Sequence, residues 1–309
     1  MTSDTEKMVG VEASNSGFNA VSLDLQGNVT ASHSSTFAPP DDRLIRLVAF
    51  VSELKTRFGE FSKIGLAIPG LVERTSNRVA YSANIPEHAE VDLAGEIKAG
   101  IGAEVYIEND ANAAAYGEFR LGAGRESRNL FYATLGTGVG GAFIIDGKIW
   151  RGVSGFAGEF GYVAINSDGT RLEDVASAES IVRRTRNRFH QDSTSSLSRL
   201  DEQKMSLVDI VQAARSEDDF AKMMLERTGA YVGTAIASVI NLLNIETIVI
   251  GGEIMQAHTV VIDSIIERAK ELSFAPSFQS TTIVEGLLGI NAAAIGAALL
   301  ANGEEAQNG

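Results

Sequence analysis

Leu130-Phe131-Tyr132-Ala133-Thr134-Leu135-Gly136-Thr137-Gly138-Val139-Gly140-Gly141-Ala142-Phe143-Ile144-Ile145-Asp146-Gly147-Lys148-Ile149-Trp150 reads as three strands joined by two tight turns. Leu130 to Leu135 and Gly140 to Ile145 are apolar runs on either side of a glycine turn. Asp146-Gly147 is a two-residue hairpin dipeptide leading into Lys148 to Trp150. The same order opens the chain. Met8 to Ala13 reads as a buried strand and Asn19 to Leu25 as an alternating one. Asp24-Leu25-Gln26-Gly27 turns, and Asn28 to Thr36 follows.

Helix and strand then alternate after each copy. In the first half a helix carries the apolar stripe Leu44, Leu47, Val48, Val51 and Leu54, spaced at the helical period. Lys63 to Ile68 is a strand entering Pro69-Gly70, Asp92 to Ala99 a helix stopping at Gly100, Val105 to Glu108 a strand, and Ala111 to Phe119 a helix. In the second half helices are expected over Leu172 to Phe189, Ser206 to Ala214, Phe220 to Leu243 and Ser264 to Leu272. Strands are expected over Thr247 to Ile250 and Thr281 to Glu285, and a terminal helix over Ala292 to Leu300. Met1 to Lys7, Gln191 to Asp201 and Asn302 to Gly309 read as loose ends or loop. A pattern that occurs twice predicts a duplicated α/β architecture with ligands in a cleft between two lobes, at the carboxyl ends of strands. The composition changes at Gly122-Ala123-Gly124. Residues 1–121 are therefore expected to form a small lobe, and 122–291 a large one.

The composition narrows the function. The chain has 309 residues, 44% hydrophobic and 21% charged, so it can build cores without covalent staples. It has no cysteine, which removes disulfides and thiolate metal sites. No apolar run reaches the roughly 18 residues of a membrane span, and Met1 to Lys7 lacks the apolar stretch of a signal peptide. A cytoplasmic protein is expected. A net charge of −14 disfavours nucleic acid and anionic membrane as partners. The one compact basic run, Arg183-Arg184-Thr185-Arg186-Asn187-Arg188, reads as the solvated face of a helix. The four histidines show no metal-ligand spacing, and no Gly-x-Ser-x-Gly elbow supports hydrolysis.

Four segments carry candidate chemistry. The hairpin Gly136-Thr137-Gly138-Val139-Gly140-Gly141 has more glycine than a turn needs, and its bare backbone points N–H groups at an anion. Glu108-Asn109-Asp110-Ala111-Asn112 ends a strand and opens a helix. Asp110 reads either as a plain N-cap or as a carboxylate that takes a proton from a substrate hydroxyl. Gly155-Phe156-Ala157-Gly158-Glu159-Phe160-Gly161 sets one carboxylate in a glycine-rich loop, either a lid or a polyol contact. Gly251-Gly252 ends a strand, where it either turns the chain or admits a nucleoside.

These segments together resemble the ROK family of sugar kinases and sugar-responsive repressors. The match also includes Ala67-Ile68-Pro69-Gly70-Leu71-Val72, Ala83-Asn84-Ile85-Pro86, and Leu288-Gly289 followed by Ala294-Ile295-Gly296-Ala297-Ala298, all in the family's order. The resemblance implies the actin-like, hexokinase-like ATPase fold, with the terminal helix, 292–309, returning to the small lobe, ATP and Mg²⁺ as co-substrates, a hexose as acceptor and a homodimer. It makes Asp110 the base. It gives Gly70, Asn84, Asn109, Glu159, Tyr162 and Glu173 to the sugar. It gives Glu12, Ser16, Gly136, Thr137, Gly138, Gly141, Gly251 and Gly252 to the nucleotide. Two departures stand out. Glu12-Ala13-Ser14-Asn15-Ser16-Gly17 replaces the family's Asp-x-Gly-Gly-Thr-Lys phosphate loop, which restricts backbone approach. Tyr162 replaces a zinc-binding His and the Cys-rich segment is missing, so no zinc is expected. The readings are an ATP-dependent hexose kinase, glucokinase-like, or an inactive sugar sensor of the same fold. A DNA-binding repressor is disfavoured, because only Met1 to Lys7 precede the first strand and the charge is acidic.

Overall fold

A computed structural model describes residues 7–14, 17–36, 43–73, 76–81, 92–189 and 194–303. Its strands are β1 (Met8–Ala13), β2 (Gly17–Leu23), β3 (Val29–Thr36), β4 (Lys63–Ile68), β5 (Leu71–Glu73), β6 (Arg78–Tyr81), β7 (Glu104–Asn109), β8 (Leu130–Leu135), β9 (Val139–Ile145), β10 (Lys148–Trp150), β11 (Thr247–Gly251) and β12 (Thr282–Glu285). Its helices are α1 (Arg43–Phe58), α2 (Leu93–Ile101), α3 (Asp110–Leu121), α4 (Glu173–Ala176), α5 (Ala178–Arg186), α6 (Leu207–Arg215), α7 (Asp219–Leu243), α8 (Thr259–Leu272), α9 (Ala275–Gln279) and α10 (Ala292–Ala301).

The expected duplication is present in the sheets. The first runs β3-β2-β1-β4-β7 and the second β10-β9-β8-β11-β12, so each places its opening hairpins at one side and adds two crossover strands at the other. β1 pairs antiparallel with β2 and parallel with β4, and β4 is parallel to β7. In the second sheet β11 is parallel to both β8 and β12. Asp146 and Gly147 both take positive φ, 52° and 77°, as the tight turn between β9 and β10 demands.

By contacts the chain divides into two compact units: Met1–Glu126 with Phe143–Ala157 and Leu288–Gly309, and Ser127–Ala142 with Gly158–Leu287. The first unit's core is formed by Val9, Val11, Leu47, Leu54, Ile64, Leu66, Ile97 and Ile107. In it α10 lies on β1, β4 and α3. The close approach explains the small residues of Ala292-Ala293-Ala294-Ile295-Gly296-Ala297-Ala298. A methyl group on Gly65 would fall 1.9 Å from Ala297 O, and one on Gly296 would fall 1.7 Å from Ala113 O. In the second unit Leu130, Phe131, Met224, Ile236, Ile248, Ile250 and Ile265 are buried.

The structure departs from the sequence reading in several places. α2 runs past Gly100 to Ile101, because Gly102, at φ 68°, supplies the left-handed cap. The expected helix Leu172 to Phe189 is two helices. Ser177 leaves helical geometry and caps α5 by accepting from Ser180 N. α8 begins at Thr259 rather than Ser264. The β5–β6 hairpin and α9 were not foreseen, and part of the segment read as loop, Ser196–Arg199, is a 3₁₀ turn. The arginine run is not simply a solvated face. Arg184 is tucked against the ring of Tyr231 and donates to Thr228 Oγ1 at 2.6 Å. Burial and the neighbouring Arg227, Arg188 and Arg183 push its pKa down to about 10. Asn84, Ser16 and the two termini, 1–6 and 304–309, lie outside the described residues. Among the described residues no helix is long and apolar enough to cross a membrane.

Candidate active site

The first unit carries a cluster built where β7 runs into α3. Asn109, not Asp110, is the N-cap: its extended backbone (φ −62°, ψ 142°) turns the side chain back to accept from Asn112 N. The same side chain donates through Nδ2 to Gly70 O at 3.0 Å and to Asp110 Oδ1 at 3.1 Å. Asn109 therefore ties the Pro69-Gly70 turn after β4 to the helix start. Asp110 Oδ1 also accepts from Ala111 N at 2.9 Å. Both side-chain bonds fall on Oδ1, and Oδ2 has no partner among the described residues. Asp110 remains partly exposed. Loss of solvent around it outweighs those hydrogen bonds and holds its carboxyl above the ordinary carboxylate range. A desolvated carboxylate with one free oxygen is chemically a proton acceptor.

Glu108 completes this cluster. It is 1% exposed. Oε1 accepts from Asn109 N at 3.0 Å and from Asn112 Nδ2 at 3.1 Å. Oε2 accepts from Arg151 Nη2 at 2.7 Å. Neither Glu108 nor Arg151 was given a role by the sequence reading. The available signal was an acid next to the apolar Val105 and Ile107 of a strand, which once buried calls for a cation partner. Glu12 sits near the end of β1, in register with Ala67, which in turn faces Glu108 across β4 and β7. In the turn after β1, Ser14 N and Ser14 Oγ both donate to Gly17 O, at 2.9 and 3.0 Å.

The second unit carries a different cluster around the β8–β9 hairpin. Gly136 N donates to Gly138 O, and Gly136 O accepts from Ala178 N at 2.8 Å, which fixes the hairpin against α5. Thr137 is exposed, and neither its N–H nor that of Gly138 has a partner among the described residues. Two such amides at a glycine turn suit an anion. Glu173 grips the hairpin from the side: Oε2 accepts from Val139 N at 2.9 Å and lies 2.9 Å from where a methyl on Gly138 would stand. Gly141 lies inside β9, and a methyl there would meet Phe160 and Gly158.

At the end of β11, Gly252 takes φ 96°, and a methyl on it would fall 2.3 Å from Leu135 O. The Gly251-Gly252 turn therefore abuts the hairpin base. Glu159 is exposed and precedes the turn Phe160–Tyr162, which packs on β9. Tyr162 is also exposed, with the Arg171 guanidinium 4.4 Å from its ring centre. Each unit thus gathers its own candidates. Gly70, Asn109 and Asp110 meet in the first. Gly136, Thr137, Gly138, Glu173, Gly251 and Gly252 meet in the second, with Tyr162 and Glu159 on the adjoining turn. Among the described residues no three His, Asp or Glu side chains converge as a metal-binding group. A groove of about 960 Å³ between α7 and α8, lined by Arg227, Tyr231, Asp263 and Glu267, contains none of these residues.

Comparison with known proteins places this geometry. The ROK family model matches residues 8–304. The chain is 33% identical over 246 residues to the glucokinase of Thermotoga maritima, covering 76% of this chain and 77% of that one. It is 26% identical over 302 residues to the xylose repressor of Bacillus subtilis, covering 93% and 75%. Among solved structures, a ROK family glucokinase from Streptomyces griseus in complex with glucose and AMPPNP superposes with a TM-score of 0.86 at 25% identity, over 96% of this chain and 99% of that one. The duplicated sheets are those of the actin-like, hexokinase-like ATPase fold. By the family match over nearly its whole length, the chain belongs to the ROK family.

Proposed function

We propose that this protein is an ATP-dependent sugar kinase that phosphorylates a hexose, glucokinase-like, with Asp110 as the base. The observation that carries the reading is the carboxylate of Asp110: anchored through Oδ1, without a partner on Oδ2 among the described residues, and held above the ordinary carboxylate range. In the proposed reaction Oδ2 accepts the proton of one sugar hydroxyl. The hydroxyl oxygen bonds to the γ-phosphorus of ATP, and the bond from that phosphorus to the bridging oxygen breaks, releasing ADP. Such a transfer asks the protein mostly to position groups and to neutralise charge.

Asn109 and Gly70 hold sugar hydroxyls in this reading, with Asn84, Glu159 and Tyr162 as further contacts. Thr137 and Gly138 offer N–H groups to the phosphates, and Gly251 and Gly252 leave room for the nucleoside. Glu173 serves the hairpin and, as the resemblance implies, the sugar. Mg²⁺, when bound with the nucleotide, neutralises phosphate charge. It typically needs only one or two protein carboxylates, and Glu12 at the end of β1 is the one offered. The glucokinase relatives and the glucose–AMPPNP complex of the Streptomyces griseus protein support the reading.

A second reading is a sugar-responsive protein without turnover. It is favoured by Ser14, whose N–H and hydroxyl are both spent on Gly17 O rather than free for a phosphate, and by the xylose repressor relative. A coupled ADP-release assay over a panel of hexoses and N-acetylhexosamines separates the two. Turnover on at least one sugar, lost in Asp110→Ala, is the expected result. Sugar binding without ADP release on any member supports the sensor and overturns the kinase.

A further inference from the structure

Asp110 is aimed by Asn109, and Asn109 is held by Glu108. Glu108 is a nearly solvent-free carboxylate, and its Oε1 grips both ends of the β7–α3 junction: the N–H of Asn109 and the side-chain amide of Asn112. Such a group keeps its charge and its orientation only while a cation and a full set of donors surround it. The cation is Arg151, which follows β10. Its Nη2 and Nε donate to Glu108 Oε2 at 2.7 and 3.3 Å, and its side chain is 18% exposed. Tyr106 OH stands 3.4 Å from the same oxygen, too far to replace it.

The connection has a second end. Arg151 heads the segment that leads into Gly158-Glu159, and its carbonyl accepts from Ala157 N at 3.1 Å, closing the segment at its base. Arg151 therefore joins the base's seat to the foot of the segment 152–157, within the first unit. Forty-three residues separate it from Glu108, and both belong to the first unit.

We propose that Arg151 is a positioning residue for the transfer reaction: through Glu108 and Asn109 it fixes where the Asp110 carboxylate points. The inference rests on the kinase reading. Remove the guanidinium and Glu108 Oε2 loses the charge-assisted donors at 2.7 and 3.3 Å that hold the carboxylate in place, which loosens its grip on Asn109 N and Asn112. Asn109 then no longer holds Gly70 O and Asp110 Oδ1 in one arrangement. A misplacement of the base by even a fraction of an ångström is costly to a reaction that depends on alignment.

The test uses the full chain with Arg151→Met, Arg151→Lys, Glu108→Gln and the double variant Glu108→Gln/Arg151→Met. Steady-state kinetics are combined with hydrogen exchange of the Asn109 and Asn112 amides. In Arg151→Met, kcat should fall on the order of tenfold or more and the KM for the sugar should rise, while the KM for ATP stays at the wild-type value. The two amides should exchange faster while those of β1 keep their protection. Arg151→Lys, which returns a positive charge, should recover part of the kcat. The neutral double variant should lose less than the product of the two single losses, and it remains informative if Arg151→Met folds poorly. Wild-type kcat in Arg151→Met overturns the proposal, and so does unchanged exchange at Asn109 and Asn112. A loss matched by faster exchange throughout β1 reduces Arg151 to a stabilising residue and also overturns it. Absence of turnover in the wild type overturns the kinase reading instead, and the exchange measurement still decides whether Arg151 orders the Asn109–Asn112 junction.

Discussion

Replacing Asp110 by Asn separates the carboxylate's chemistry from its shape. The amide is isosteric. Its oxygen still accepts from Ala111 N and from Asn109 Nδ2, the two side-chain bonds seen on Oδ1. What disappears is the basic Oδ2. A positioned general base contributes about 10²- to 10⁴-fold, so kcat should fall by that factor, equivalent to about 2.7–5.4 kcal/mol of barrier. Sugar affinity should change little, because Asn109 and Gly70 keep their mutual bond.

Stability should move the opposite way. The native carboxyl holds its proton more tightly than the ordinary value of 3.8, because desolvation penalises the charged form. Below that value both folded and unfolded chains carry the proton and nothing is lost. As pH rises, the unfolded chain gives up its proton first, so this group costs stability progressively until the folded carboxyl has also ionised. Asp110→Asn escapes that cost. It should melt higher than wild type at neutral pH and converge with it in acid. ADP release, sugar calorimetry and melting curves at the two pH values measure all three effects. Turnover within about tenfold of wild type would refute Asp110 as the base, since it falls below the smallest general-base contribution. A lower melting temperature at neutral pH would refute the desolvation argument.

The remaining expectations concern groups that shape each cluster. Glu173→Ala leaves Val139 N without its acceptor at the hairpin, and an unsatisfied donor costs about 1–3 kcal/mol. The melting temperature should fall, at about 2–4 °C per kcal/mol, and the KM for ATP should rise as the hairpin loosens, as melting curves and titration against ATP will show. Glu118→Ala removes a buried carboxylate that accepts from both Ala123 N and Leu288 N at 2.8 Å. Two hydrogen bonds to a charged acceptor total about 3–6 kcal/mol, so the midpoint of denaturant unfolding should fall well below wild type. Gly296→Ala drives a methyl into Ala113 O between α10 and α3. Overpacking of about 1–3 kcal/mol, at about 2–4 °C per kcal/mol, should lower the melting temperature measurably.

The elements legible in the sequence are those whose partners are close along the chain. β1, β4, β8 and β10 were read with their ends in place because buried strands announce themselves as short apolar runs between turn residues, and Asp146-Gly147 permits little but a tight hairpin. Where a distant contact decides, the local pattern misleads. The apolar spacing from Leu172 onward runs unbroken through Ser177. The chain nevertheless kinks there, and the freed Ala178 N–H goes to Gly136 O on the β8–β9 hairpin. The candidate site divides in the same way. Asn109-Asp110 and the glycine hairpin stand out as local motifs, and the structure finds each at a strand end. Glu108 was visible only as an acid next to the apolar Val105 and Ile107, because nothing in the spacing of Arg151 points back to β7. Asp110 reads from the sequence as either a cap or a proton acceptor, and it is not the cap. Asn109 takes that role because it still has extended backbone, so its side chain can fold back over the first turn.

The two sheets explain why the candidates fall where they do. In each, the first, fourth and fifth strands run parallel, so their carboxyl ends lie along one edge and the loops leaving them collect there. In the first sheet those ends bring Glu12, Gly70, Asn109 and Asp110: acids, an amide and a backbone turn suited to alcohol groups. In the second they bring Gly136, Thr137 and Gly138 after β8 and Gly251-Gly252 after β11: bare backbone suited to phosphate and nucleoside. One topology used twice has thus been given opposite side-chain chemistry at equivalent ends. If that division is correct, substitutions in the first set should move the sugar's kinetic constants and those in the second the nucleotide's. Asn109→Ala should raise the KM for sugar and leave that for ATP, and the reverse outcome would break the assignment of the two sheets.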